Sequence, residues 1–147
     1  MKKILYLLVL FAVIPACLYL ALDRENVDID EFRLNSGYQE VKLSEGITSY
    51  KDIGDKNSKV IILVHGATFG SLAYEEYVNV FLENNYRVIT YDQYGRGYSD
   101  RIQSGVSIEL MEKQLKELIK HCEVEDVILY GVSFGAAVVA KYAANNP

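Results

Sequence analysis

Val127-Ile128-Leu129-Tyr130-Gly131-Val132-Ser133-Phe134-Gly135-Ala136 is the stretch that decides how this chain folds. Its opening residues are apolar and read as a strand. The Ala- and Val-rich stretch from Phe134 to Asn146 reads as a mostly buried helix. Ser133 therefore sits on a very tight strand-to-helix turn, where its backbone dihedrals are strained. The residues two before and two after such a serine crowd each other, so both must be small. Gly131 and Gly135 meet that demand, and Ala136 adds a third small residue. Gly-x-Ser-x-Gly in this setting is the pattern of a nucleophile elbow. The helix start behind Ser133 offers unpaired N–H groups and a positive dipole end to a developing oxyanion. The competing reading makes the pattern a coincidence and Ser133 a simple helix cap.

Upstream, the chain alternates strands and helices. Val60–Val64 is a continuous apolar run, the mark of a strand buried on both faces. A helix follows over 71–85, then a short strand over 87–91. A polar, Gly-rich loop runs from Asp92 to Gly105. An amphipathic helix spans Ser107–Cys122, with Ile108, Met111, Leu115, Leu118 and Ile119 at helical spacing. This alternation predicts a parallel sheet with right-handed crossovers, and chemistry at the carboxyl ends of its strands. Before it, 38–43 and 47–53 read as a hairpin joined by Ser44-Glu45-Gly46.

Two further loops carry marked residues. His65-Gly66-Ala67-Thr68-Phe69-Gly70 follows the strand Val60–Val64 directly. Here Gly66 allows close backbone approach, and the Ala67 N–H can aim at the same point as that of Phe134. Two such donors make an oxyanion hole. His65 reads as a structural histidine that hydrogen-bonds its own loop. The other loop is Tyr91-Asp92-Gln93-Tyr94-Gly95-Arg96-Gly97-Tyr98-Ser99-Asp100. It lacks the third glycine of a dinucleotide fingerprint. Asp92, Arg96 and Asp100 read as a hydrogen-bonded framework beside the site.

His65-Gly66, then Asp92-x-x-Gly95-x-Gly97-x-Ser99, then Gly131-x-Ser133-x-Gly135 occur in this order, each after a strand. Over residues 37–147 the chain thereby resembles the α/β-hydrolase superfamily, in its esterase- and lipase-like branch. The resemblance implies an α/β fold with a mostly parallel sheet, in the strand order 1-2-4-3-5-6-7-8. It also implies Ser133 as nucleophile, the Ala67 and Phe134 amides as oxyanion donors, and Gly131, Gly135, His65 and Gly66 as structure around them. A serine at 133 argues against the branches that use aspartate there.

Members of that superfamily carry the triad in the order Ser, acid, His. After Ser133 this sequence contains neither an acid nor a histidine; its two histidines are His65 and His121. His121, at the end of an amphipathic helix, reads as a helix-end residue facing terminal carbonyls. Without a base a serine hydroxyl is a poor nucleophile at neutral pH. The expectation is a fold truncated after the elbow helix, the N-terminal half of a longer serine hydrolase for carboxylic esters. The alternative is an idle remnant or interaction module built on the same fold.

The N-terminus reads differently. Lys2 and Lys3 precede an uncharged run, Ile4 to Leu22, and acidic residues follow. As a helix that run is roughly 28 Å long, near the thickness of a bilayer's hydrocarbon core. It is expected to be a transmembrane signal anchor with the N-terminus cytoplasmic and the hydrolase domain outside. A lipoprotein signal ending at Ile14-Pro15-Ala16-Cys17 and a cleaved secretory signal are the alternatives. Residues 23–36 read as a linker, giving segments 1–22, 23–36 and 37–147.

The 147-residue composition narrows the rest. A net charge of −5 and pI of about 5.0 give no basic footprint for nucleic acid. Two cysteines exclude a disulfide scaffold, and no metal-ligand spacing occurs. No cofactor or metal is therefore expected; the expected partners are an ester or lipid substrate and a membrane holding residues 4–22.

Overall fold

The computed structural model describes residues 2–22, 28–103 and 105–147. It divides into two compact units, Met1–Leu34 and Asn35–Pro147.

In the first unit, α1 spans Lys2–Leu22 and α2 spans Ile29–Leu34. The apolar run is thus helical, with its side chains described at Val9 and from Phe11 onward. Among the described residues, no helix is long and apolar enough to cross a membrane. The expected transmembrane helix finds no support in the fold. Part of the expected linker, 23–27, lies outside the described residues. The rest is not plain connector, because Asp28 opens α2: its side chain accepts from the Asp30 N–H at 2.9 Å, and its carbonyl accepts from Phe32.

The second unit is built on five strands: β1 (Gln39–Lys42), β2 (Ile47–Ile53), β3 (Val60–Val64), β4 (Arg87–Tyr91) and β5 (Val127–Gly131). Their order is β1-β2-β4-β3-β5, which matches the first five positions the resemblance implied. The expectation of a mostly parallel sheet needs correcting. β3 pairs in parallel with β4 and β5, but β1–β2 and β2–β4 are antiparallel, so this sheet is mixed. The cause is the hairpin: a tight turn returns β2 antiparallel to β1, and β2 then lies against β4 rather than crossing over.

β3 and β4 are buried along their whole length, β3 as its continuous apolar run requires and β4 although it carries Arg87 and Thr90. On one face Ile62, Val64, Ile89 and Tyr91 pack with Met111, Leu115 and Leu118 of α4 (Ile108–His121). On the other, Ile61, Leu63 and Val88 pack with Tyr74 and Val78. The helix expected over 71–85 is divided into a 3₁₀ turn, Ser71–Tyr74, and α3 (Glu75–Glu83). Asn85 ends this segment with φ 60°, a left-handed conformation that asparagine tolerates. α4 begins on Ser107, whose side chain accepts from the Leu110 N–H at 3.2 Å.

α5 (Phe134–Asn145) corrects a second expectation. Only Gly135 and Val138 are buried in it; α5 packs mainly on α4, β5 and β3. Its small side chains leave Ala136, Ala140 and Ala144 exposed.

Candidate active site

The carboxyl ends of β3, β4 and β5 bring the three marked loops together. Ser133 stands between β5 and α5 with φ 54° and ψ −120°. That region favours glycine, so an L-residue there is strained. Ser133 occupies the N-cap position of α5, yet its side chain makes no capping hydrogen bond, and the residue is exposed. The simple helix-cap reading therefore fails. The turn is closed by backbone bonds instead: Gly135 N–H to Val132 O at 2.9 Å, and Ala136 N–H to Ser133 O at 3.0 Å.

The two glycines are required by close approach. A Cβ on Gly131 would lie 2.6 Å from the Gly135 carbonyl oxygen, the mutual crowding the sequence predicts. A Cβ on Gly135 would meet a different neighbour, the Val64 oxygen, at 2.2 Å. The elbow is thus pressed against the end of β3, and Val132 N–H to Val64 O at 3.2 Å ties it there.

That contact puts the His65-Gly66 loop beside the serine. A Cβ on Gly66 would lie 3.4 Å from Ser133 Cβ and 3.9 Å from its Oγ. A cleft of about 290 Å³, open to solvent, is lined by His65, Gly66, Ala67, Gln93, Tyr94, Arg96, Val106, Met111 and Phe134. Both expected oxyanion donors, Ala67 and Phe134, thus line one cleft. Phe134 is the first residue of α5, and a first helical N–H has no intrahelical acceptor.

His65 is almost fully buried, and both its ring nitrogens are engaged. Nε2 accepts from the Gln93 N–H at 2.8 Å, which leaves the proton on Nδ1. Nδ1 then donates to the Gly66 carbonyl at 2.7 Å. This fixes the Gly66–Ala67 peptide. In a trans peptide the Ala67 N–H points opposite to the Gly66 oxygen, so His65 sets its direction. Burial lowers the His65 pKa below its ordinary 6.5 and keeps the ring neutral, as this pairing requires. His121 is elsewhere, at the far end of α4, with Nε2 3.0 Å from Tyr50 Oη. It does not stop at the helix-end carbonyls as expected, but reaches across to β2.

The third loop is the framework its sequence suggests. Asp92 Oδ1 accepts from the Ser71 N–H (2.7 Å) and hydroxyl (2.8 Å), and Oδ2 accepts from the Tyr98 N–H at 2.9 Å. Asp100 Oδ2 accepts from the Ile47 N–H at 2.7 Å. Arg96 donates from Nε to the Ala67 carbonyl and from Nη1 to that of Gly95.

Sequence reasoning missed Gln93 and Gln114. The Gln93 side chain donates to the His65 carbonyl. Gln114 is buried and joins Thr48 Oγ1, the Asp92 carbonyl and the Tyr94 N–H at 2.8, 3.1 and 3.1 Å. The signal for Gln114 was present: a lone amide between Met111 and Leu115 on the apolar stripe of α4 needs partners. Nothing in the sequence marks Val106 and Met111 as cleft wall.

A family model described as serine aminopeptidase, S33, matches residues 55–147. The chain belongs to this family of α/β-hydrolases. Among relatives of this S33 chain is a putative non-heme chloroperoxidase of Synechocystis sp., 33% identical over 93 residues, covering 63% of this chain and 33% of that protein. A bifunctional esterase/perhydrolase of Acinetobacter calcoaceticus is 28% identical over 98 residues, covering 67% and 36%. The solved structure of an esterase from Exiguobacterium antarcticum superposes with a TM-score of 0.69 at 27% identity, covering 74% of this chain and 40% of that one. The S33 chain spans about a third of the length of the curated relatives it matches.

Proposed function

We propose that the chain carries the nucleophile and oxyanion hole of a serine hydrolase acting on carboxylic esters. One observation carries the reading. Ser133 is held in a glycine conformation, freed from capping duty, beside a cleft lined by both Ala67 and Phe134. The esterases among its relatives support the ester class.

In the proposed reaction Ser133 Oγ attacks the ester carbonyl while a base takes the hydroxyl proton. The carbonyl electron pair moves onto oxygen, and the Ala67 and Phe134 N–H groups hold that oxyanion. Its collapse breaks the C–O bond to the alcohol, which leaves with the proton. Water then cleaves the acyl-serine by the same steps. His65 is committed to its own loop and His121 to Tyr50, so the proposal takes the base from outside residues 1–147.

The location in this proposal is extracytoplasmic. It is supported by Lys2 and Lys3 ahead of an uncharged run, and by nothing in the fold. Protease treatment of intact cells tests it: digestion of the hydrolase unit is expected, and full protection contradicts it.

Hydrolysis of short p-nitrophenyl esters by the protein isolated from its source tests the activity. Turnover that Ser133→Ala abolishes is expected. Equal turnover by both, or none by either, favours the idle-module reading.

A further inference from the structure

We propose that Arg96 is a positioning residue for the oxyanion hole, a strut that holds the Ala67 peptide in register with the elbow. The inference rests on the serine-hydrolase reading of the cleft. Its basis is a pair of clamps on consecutive carbonyls. His65 Nδ1 holds the Gly66 oxygen, and Arg96 Nε holds the Ala67 oxygen. The N–H expected to receive the oxyanion lies between these two carbonyls. With only the first clamp, the chain can still rotate about Ala67. With both, the peptides on either side of Ala67 are fixed, and the N–H direction with them.

The strut has a firm base. The Arg96 N–H donates to Gln93 O at 3.0 Å, and its carbonyl accepts from the Ser99 N–H at 3.1 Å. The Gly95 N–H donates to Asp100 O at 2.8 Å. Arg96 therefore links the framework after β4 to the loop after β3, two segments that share no strand. Arg96 also lines the cleft with Ala67 and Phe134. A planar fork suits this duty, because Nε and Nη1 bind two carbonyls at once.

The test compares the full chain with Arg96→Ala, Arg96→Gln and Arg96→Lys. Backbone 15N order parameters at residues 66–68 read the clamp without needing catalysis. Saturation kinetics of Ser133 phosphonylation by a fluorophosphonate read its chemical consequence. In Arg96→Ala, the order parameters of Ala67 and Thr68 are expected to fall from about 0.85 to below about 0.6 while β3 and β4 stay rigid. The limiting phosphonylation rate is expected to fall by about tenfold or more, with the half-saturating concentration unchanged. Arg96→Lys, which keeps one donor and the charge, is expected to recover most of both losses. Arg96→Gln keeps a donor only and is expected to restore order more than rate. Unchanged order parameters at 66–68 in Arg96→Ala overturn the inference and leave the hydrolase reading standing. A change confined to half-saturation also overturns it, because Arg96 would then be touching the probe. Lower order at 66–68 in a protein whose wild type is never labelled overturns the hydrolase reading and leaves the clamp.

Discussion

At Ser133 stability and proposed chemistry pull in opposite directions. Its φ of 54° and ψ of −120° suit glycine, and a non-glycine residue there costs of order 1–3 kcal/mol. Ser133→Gly is therefore expected to be more stable than wild type by about 1 kcal/mol, a few degrees in thermal midpoint. Ser133→Ala is expected to show no such gain, since alanine keeps the strain; scanning calorimetry on both separates the two. Gly135→Ala has the opposite sign. Its Cβ would fall 2.2 Å from the Val64 oxygen, and urea denaturation should show a loss of about 3 kcal/mol or more. His65 adds a pH dependence. Burial, against weaker opposing effects of Gly66 and Asp92, makes the folded ring bind its proton less readily than the unfolded one. Stability tied to His65 is then complete above its ordinary value of 6.5 and is lost as pH falls below it. The gap in urea midpoint between wild type and His65→Asn is expected to narrow from pH 7.5 to pH 5.

Between elements, one buried ion pair joins β2 to β4 and the end of α4. Arg87 donates to both Asp52 oxygens at 2.8 Å and to the Cys122 carbonyl at 3.1 Å. Burial alone would raise the Asp52 carboxyl, but hydrogen bonds from Arg87 and Lys56 outweigh it and hold its pKa below the ordinary value. Asp52→Asn leaves a buried guanidinium without its countercharge, and a loss of about 3–5 kcal/mol in chemical denaturation is expected. This pair was not legible in the sequence, because Asp52 and Arg87 meet only through the β2–β4 pairing. What was legible had local causes. Val60–Val64 is continuously apolar, so β3 could be read directly. Ser107 caps α4 where the apolar periodicity begins. The elbow was legible because its steric demand falls on residues two apart from the serine. Gln114 showed only as an amide in need of partners and Arg96 only as loop framework; the partners of both, and the clamp by Gln93, were not legible, since they lie on other strands and loops. The burial of α5 was overread, because an Ala- and Val-rich stretch shows what a helix can bury and not what lies against it.

For the whole unit, Asn35–Pro147 forms one sheet with β5 at an edge and Ile128 46% exposed upon it. An apolar strand paired on one side only is a template for association. The same layout places Ser133, the Gly66 loop and the Arg96 framework at the carboxyl ends of three parallel neighbours, where an α/β sheet gathers its chemistry. In the proposed reaction Ser133 is the nucleophile at these strand ends. Its most direct test treats the protein isolated from its source with a fluorophosphonate and maps the adduct by tandem mass spectrometry. A single modified serine, Ser133, is expected, with no labelling of Ser133→Ala. Labelling at another residue, or none while related esterases in the same sample react, contradicts it.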